Sequence, residues 1–408
     1  MPPAPALSSD ILLEIVARSD AVTLFRCAAT CKPLRREIRS PAFIRRVCHE
    51  PGGAVPPCLL GFLDLYNDGN AAAFSLAHPA TPAAASFSDK HLAPPRGRNA
   101  AANLLIDGYE PLMSRNGLVL LERGLDSPSR RISMCVFDPL TGTLAALLSA
   151  PDIDHGSDGV THTYVLLTAA DGIDIGCSFL VLAAEFTRRS IKVQTVSSDA
   201  VDGAWGAATK VRNPRRGRST LERRPTAVVL GGRIHWLMDE VKSKGMHILT
   251  YDVRSAAAGL IELPTGDLST APFHHDIDLA SSPDGRLSLL AADKLVITVW
   301  VLSGGGDGWT RHAVIDAEAN VRSFMPELSR SSYRDMVRFA RSWSWRKSGA
   351  VLLQRPFTDM FYMLSRSGEE GLVLVDVETK EMRKVTMKKD ALPYEVDLES
   401  RLSAMKVF

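Results

Sequence analysis

Residues 7–47 carry more apolar surface than a unit of that size can bury within itself. Leu7-Ser8-Ser9-Asp10 opens a first helix: Ser8 or Ser9 can cap it, and Asp10 lies in the first turn, where the helix dipole favours an acid. Ile11, Leu12, Leu13, Ile15 and Val16 then cover almost the whole circumference, interrupted only by Glu14. A surface helix shows one apolar stripe, so this one needs cover on two sides. Asp20 can cap a second helix, with Leu24, Cys27, Ala28 and Cys31 at i, i+3, i+4 and i+7. Pro33 suits the first turn of a third helix, whose inner face holds Leu34 and Ile38. Ser40-Pro41 repeats the cap-then-proline start, followed by Phe43, Ile44 and Val47 on one side. About forty residues without disulfide or metal is near the lower limit for independent folding. Either this helical head packs on the rest of its own chain, or its surplus leucine and isoleucine dock on another molecule.

The length of 408 residues allows two or three domains. A net charge of +2 is too small to argue for nucleic acid or a membrane surface. No stretch supplies the run of about 18 uncharged apolar residues that a membrane span needs. The start, Met1-Pro2-Pro3-Ala4-Pro5-Ala6, lacks the basic region and apolar core of a secretory signal. The cysteines (27, 31, 48, 58, 135 and 177) form no C-x-x-C pair, and three fall in the helical head. They read as small buried hydrophobes in a reducing compartment, so cytoplasm or nucleus is expected.

Beyond residue 50 the pattern changes. Pro51-Gly52-Gly53 and Pro56-Pro57 punctuate a linker, and residues 71–102, rich in alanine, proline and serine, read as a long surface loop. From Leu104 onward short apolar runs alternate with turn signals. Leu118–Leu121, Leu180–Leu182, Val228–Leu230, Leu287–Leu290 and Leu372–Val375 are strand-length, and Ile297–Val301 alternates. Only 326–345 offers helical periodicity of any length. The expected organisation is therefore a helical domain over 1–50, a linker with the first strands over 51–103, and a mostly β body over 104–408.

Self-similarity refines the β body. A strand ending in aspartate and a polar turn recurs at Asp138-Pro139-Leu140-Thr141-Gly142, at Asp252-Val253-Arg254-Ser255 and at Asp376-Val377-Glu378-Thr379. Asp202-Gly203-Ala204-Trp205 and Asp307-Gly308-Trp309 form a second echo. The apolar runs recur at intervals close to a kelch-like blade of four strands. The expected architecture is an α+β multidomain chain whose body is a β-propeller of about six blades, with a β-sandwich as the alternative. Residues 58–65 and 394–398 would share the blade that closes the ring.

Few constellations suggest chemistry. Asp152–Gly159 lacks the closing glutamate of a calcium loop, because Thr163 stands at the twelfth position. His274-His275-Asp276-Ile277-Asp278 has no second cluster at metal-ligand spacing, and neighbours on a strand point to opposite faces. Gly304–Gly308 lacks the Lys-Ser/Thr ending of a phosphate loop. Arg212–Arg218 with Arg223-Arg224 is the strongest basic run, but no aromatic side chains interleave with it for nucleic-acid stacking. No nucleophile elbow occurs. The chain is expected to be no enzyme and to need no cofactor or metal.

The helical head resembles an F-box, the adaptor-binding module of cullin–RING ubiquitin ligases. Its pattern is matched at Leu7, Asp10, Ile11, Leu12, Ile15, Leu24, Arg26, Cys31, Lys32, Arg35, Ile38, Ser40, Pro41 and Phe43. Ser8 stands where the family usually has proline, and Leu34 where it often has tryptophan. Thr23, Thr30 and Asp20-Ala21 also depart from it. In domain order and turn pattern the chain is similar to plant F-box proteins with a degenerate C-terminal propeller. The resemblance implies a substrate-recognition subunit of a Skp–cullin–F-box ubiquitin ligase. Leu7, Asp10, Ile11, Leu12, Ile15, Leu24, Cys31, Leu34 and Phe43 would meet the Skp-type adaptor, and the β body would hold a protein substrate. A scaffold outside any ligase is the first alternative, and a propeller-fold hydrolase the second.

Overall fold

A computed structural model describes residues 8–19, 23–24, 27–28, 31–50, 58–64, 73–78, 84, 109–123, 134–140, 143–153, 161–168, 171, 178–215, 219–221, 227–240, 245–264, 275–282, 284–304, 308–324, 338–339, 350–354, 369–388 and 392–403. The chain divides into two compact units. One comprises residues 1–147, 168–170 and 392–408; the other comprises 148–167 and 171–391.

The first unit begins with helix α1 (Ser9–Ala17). Thr23, Leu24, Cys27 and Ala28 are helical. Helices α2 (Lys32–Ile38) and α3 (Pro41–His49) follow. Ser40 caps α3 by accepting the Phe43 N–H at 3.3 Å, and Pro41 stands in the first turn, where no N–H is needed. Cys31 is not the last residue of the second helix, as its spacing suggests. It is the extended cap of α2, and its side chain makes no capping bond. Arg35, buried on α2, instead reaches back to donate to the Ala28 carbonyl at 2.7 Å.

The same unit holds a three-stranded antiparallel sheet with Cys58–Asp64 at its centre. Ala73–His78 lies on one side and Leu392–Asp397 on the other. Within the surface loop expected over 71–102, Ala73–His78 is a strand; apart from Ala84, the rest of that range lies outside the described residues. Alanine is a weak strand former, and it is the pairing with Cys58–Asp64, Phe74 opposite Leu63, that recruits this segment. Tyr109–Arg115, Leu118–Arg123, Met134–Asp138 and Thr143–Leu148 form a four-stranded sheet in chain order, whose first turn is Asn116-Gly117. Both turn residues take positive φ, 46° and 80°, as a tight hairpin matched to strand twist requires. Helix α5 (Leu398–Ser403) follows the strand Leu392–Asp397 directly; α4 (Glu318–Phe324) belongs to the second unit. One core runs through the first unit. Val16, Leu24, Ile38, Phe43, Ile44 and Val47 from the helices meet Leu59, Leu63, Val119, Leu121, Tyr394, Val396, Leu398 and Leu402.

The second unit contains four more antiparallel sheets, over residues 161–212, 219–262, 275–316 and 338–388. Consecutive residues of their inner strands are buried, as in Val181–Ala184 and Leu287–Ala292, so both faces of those strands are covered. Trp236 lies fully buried and meets Phe186 edge-on at 5.1 Å. The recurring aspartates act as turn acceptors. Asp138 takes the Leu140 N–H, Asp252 those of Arg254 and Ser255, and Asp376 those of Glu378 and Thr379. The tryptophan echo also has a shared role. Trp205 donates its indole N–H to the Ser149 carbonyl at 2.6 Å, and Trp309 donates to the Glu262 carbonyl at 2.8 Å.

The larger architecture differs from expectation. The described strands lie in six separate small antiparallel sheets, none of which closes into a barrel or curls as a propeller or sandwich. The kelch-like β-propeller of about six blades and the β-sandwich are both corrected to this description. The reason is one of range: an apolar run followed by an aspartate turn specifies a hairpin, whereas the disposition of whole sheets depends on contacts that the repeat does not encode. The helix expected over 326–345 is also not found where it can be judged. Arg338–Phe339 is a short strand, and the rest of that segment lies outside the described residues.

Candidate functional site

Helix α1 is built to face two ways. Ser8, in extended conformation, accepts the Ile11 N–H at 3.4 Å through its hydroxyl and the Leu12 N–H at 3.1 Å through its carbonyl. At about 100° of rotation per residue, Leu13, Val16 and Ala17 share one side, and Ile11, Leu12 and Ile15 share the other. Val16 and Ala17 are buried in the core and Leu13 packs against it. Ile11, Leu12 and Ile15 stay 50%, 37% and 52% exposed. Among the described residues, these three make up half of the large hydrophobic side chains left exposed, and they alone adjoin one another on a single element.

Ion pairs run along the helix and across to its neighbour. Glu14 bonds Arg18 at 2.6 Å along the helix and Arg46 of α3 at 2.5 Å. The hydrogen bond from Arg46 holds the Glu14 carboxyl below its ordinary value, with Arg18 contributing. On the buried side of α3, burial pushes the Cys48 thiol up to about 12, with Glu399 and Asp397 adding to the rise, so Cys48 acts as a packed hydrophobe and not a nucleophile. Burial alone takes Cys135 to about 12 as well.

The residues expected to meet an adaptor separate into groups. Asp10, Ile11, Leu12, Ile15 and Cys31 are exposed, and Leu34 is half-buried against the core. Leu24 is fully buried and Phe43 is only 7% exposed, so both face inward and support the module rather than its surface. Leu7 lies outside the described residues. Sequence reading missed Arg46, which ties α1 to α3, and the C-terminal helix α5 beneath them. No local signal marks either, because their partners are distant in the chain.

The other constellations are described only in part. Asp152 pairs with Lys192 at 3.1 Å, and its N–H donates to Gln194 at 2.6 Å; residues 154–159 lie outside the described residues. Within the basic run, Arg215 bonds Glu240, and Glu262 at 2.7 Å, while Asn213 is buried and donates to the Thr187 carbonyl. Arg216–Arg218 and Arg223-Arg224 lie outside the described residues. His275–Ser281 is a strand, and among the described residues no group of three or more His, Cys, Asp or Glu could hold a metal ion. Nor, among them, is any helix long and apolar enough to cross a membrane.

Helix α1 thus has one face in the core and one face exposed, and this head coincides with a known family model. The F-box domain model matches residues 5–46. A second model, the domain of unknown function DUF7595, matches residues 78–408, well over half of the chain, and the chain belongs to that family. The F-box is a non-catalytic protein-interaction module; F-box domains recruit Skp-type adaptors and, through them, cullins. No curated protein matches the sequence. Solved structures similar to it include a DUF4221 member from Bacteroides vulgatus (10% identity, 69% of this chain and 81% of that one, TM-score 0.37). TolB from Acinetobacter baumannii is another (9% identity, 90% and 72%, TM-score 0.38). The family finding and the open sheets together replace the kelch-like assignment, and with it the expectation that a propeller body holds a protein substrate.

Proposed function

We propose that this chain is an F-box subunit that docks on a Skp-type adaptor, and through it on a cullin, by the outward face of α1. Ile11, Leu12 and Ile15 supply the apolar contact, with Asp10, Cys31 and Leu34 beside or below it. The observation that carries this reading is the partition of α1. Val16 and Ala17 complete an internal core, while three large aliphatic side chains on the opposite arc stay exposed on a helix held by Ser8 and Arg46. A scaffold with its head packed internally would have covered that arc. The subunit contributes binding and proximity, not bond chemistry.

The test is co-purification of the full chain with a Skp-type adaptor, with and without the Ile11→Asp/Leu12→Asp double substitution. The native chain is expected to form the complex and the variant to lose it while remaining folded. A variant that binds like the native chain overturns the assignment.

A further inference from the structure

The F-box helices do not form a core by themselves; they share one with residues some 350 positions later in the chain. Leu398 and Leu402 on α5 are fully buried in the same cluster as Leu24, Ile38, Phe43, Ile44 and Val47. Polar contacts reinforce the packing on the helical side. Arg39, at the end of α2, donates through Nε to the Ser403 carbonyl at 3.0 Å. His49, at the end of α3, meets Glu399 at 3.2 Å.

On its other side α5 is fixed to the sheets. Arg401 makes two bonds to Asp138, at 3.2 and 2.6 Å, with both side chains largely buried. Tyr394 donates its hydroxyl to the Gly117 carbonyl at 3.0 Å, and the Gly117 N–H donates to the Glu395 carbonyl at 3.0 Å. Asp397 accepts the Ser400 N–H at 2.8 Å and so caps α5 itself.

We propose that α5 is a positioning element of the adaptor-docking head: a clamp that holds α2 and α3 against the sheets and, through the Arg46–Glu14 bond, sets how α1 presents Ile11, Leu12 and Ile15. The inference rests on the reading of α1 as the adaptor face. It adds that adaptor affinity depends on Leu398 and Leu402, side chains too deeply buried to touch any partner. A head that folded alone on a tether would have no such dependence.

The test uses the full chain with Leu402→Ala and Leu402→Asp. Two quantities are read: affinity for a purified Skp-type adaptor, and amide hydrogen exchange resolved by segment. Leu402→Ala is expected to speed exchange in α2 and α3 by roughly tenfold or more, because a buried leucine is lost from their shared core. Exchange in the strand Arg233–Glu240, in the other compact unit, is expected to stay unchanged. Leu402→Asp is expected to weaken adaptor binding by about tenfold or more, since only the folded fraction of the head binds. The clamp is overturned if Leu402→Ala leaves exchange in α2 and α3 at the native rate, or raises it equally in Arg233–Glu240. It is equally overturned if both variants bind adaptor as tightly as the native chain. Failure of the native chain to bind adaptor would defeat the docking assignment instead, and the exchange pattern would still decide whether α5 holds the helices.

Discussion

Replacing Ile11 and Leu12 with aspartate separates docking from folding with a large expected signal. Fully burying a leucine or isoleucine is worth about 1.5–3 kcal/mol. Ile11, Leu12 and Ile15 are 50%, 37% and 52% exposed, so a partner has roughly half of each left to cover. That leaves about 0.7–1.5 kcal/mol per side chain, and roughly 2–4 kcal/mol for the three together. At about 1.4 kcal/mol per decade, the patch is worth a factor of roughly thirty to several hundred in Kd. The double aspartate variant removes most of this and also asks an interface to desolvate two carboxylates, which costs several kcal/mol more. Binding should therefore vanish in isothermal titration at micromolar concentrations. The folded chain should tolerate the change, because neither side chain belongs to the core and both positions lie early in a helix, where acids are accepted; a stability change within about 1 kcal/mol is expected. Thermal denaturation followed by circular dichroism measures it. Retained binding would refute the assignment of this face. Collapse of the melt would show that Ile11 and Leu12 serve the interior, and would refute the partition of α1 on which the estimate rests.

Other outcomes follow from buried contacts. Arg401→Met leaves Asp138 buried without its charged partner, and the urea midpoint should fall by an amount equivalent to about 3–5 kcal/mol; a loss under 1 kcal/mol would mean that water already screens the pair. Gly117→Ala should destabilise by several kcal/mol, because the new Cβ would lie 2.7 Å from Val396 at a φ of +80°; an unchanged melting temperature would contradict that geometry. Burial lowers the His235 pKa to about 4, opposed by donation of its Nδ1–H to the Val228 carbonyl. Its neutral form is thus a stabilising feature, fully present above the ordinary histidine value near 6.5 and lost progressively as pH falls from there towards 4. The loss should approach about 3 kcal/mol in urea midpoints taken across that window. His235→Gln should flatten the dependence, and an equally steep profile in the variant would place the proton elsewhere.

What could be read from the sequence was what neighbouring residues decide. The caps at Ser8 and Ser40, the aspartate turns at Asp138, Asp252 and Asp376, and the surplus of apolar side chains on α1 all depend on contacts a few positions away. The division of those side chains between inside and outside was harder. Leu24 and Phe43 carry the same family pattern as Ile11 and Ile15, yet they face the core, because helices and sheets distant in the chain close over them. The strand Ala73–His78 was hidden by its alanines until its partner was known. The partnership of Arg401 with Asp138 joins positions 263 residues apart and leaves no periodic trace. The arrangement of the six sheets is the extreme case: each hairpin is written locally, and their disposition is not.

The shared core also sets an order of events during biosynthesis. Arg39 and Ser403, bonded in the finished protein, are 364 residues apart. At roughly 5–20 residues per second, a ribosome needs tens of seconds to pass from one to the other. Throughout that interval the nascent F-box lacks the leucines that complete its interior. A chain cut short before residue 398 would never acquire them, so on the proposed docking reading it should bind a Skp-type adaptor more weakly than one translated through to α5.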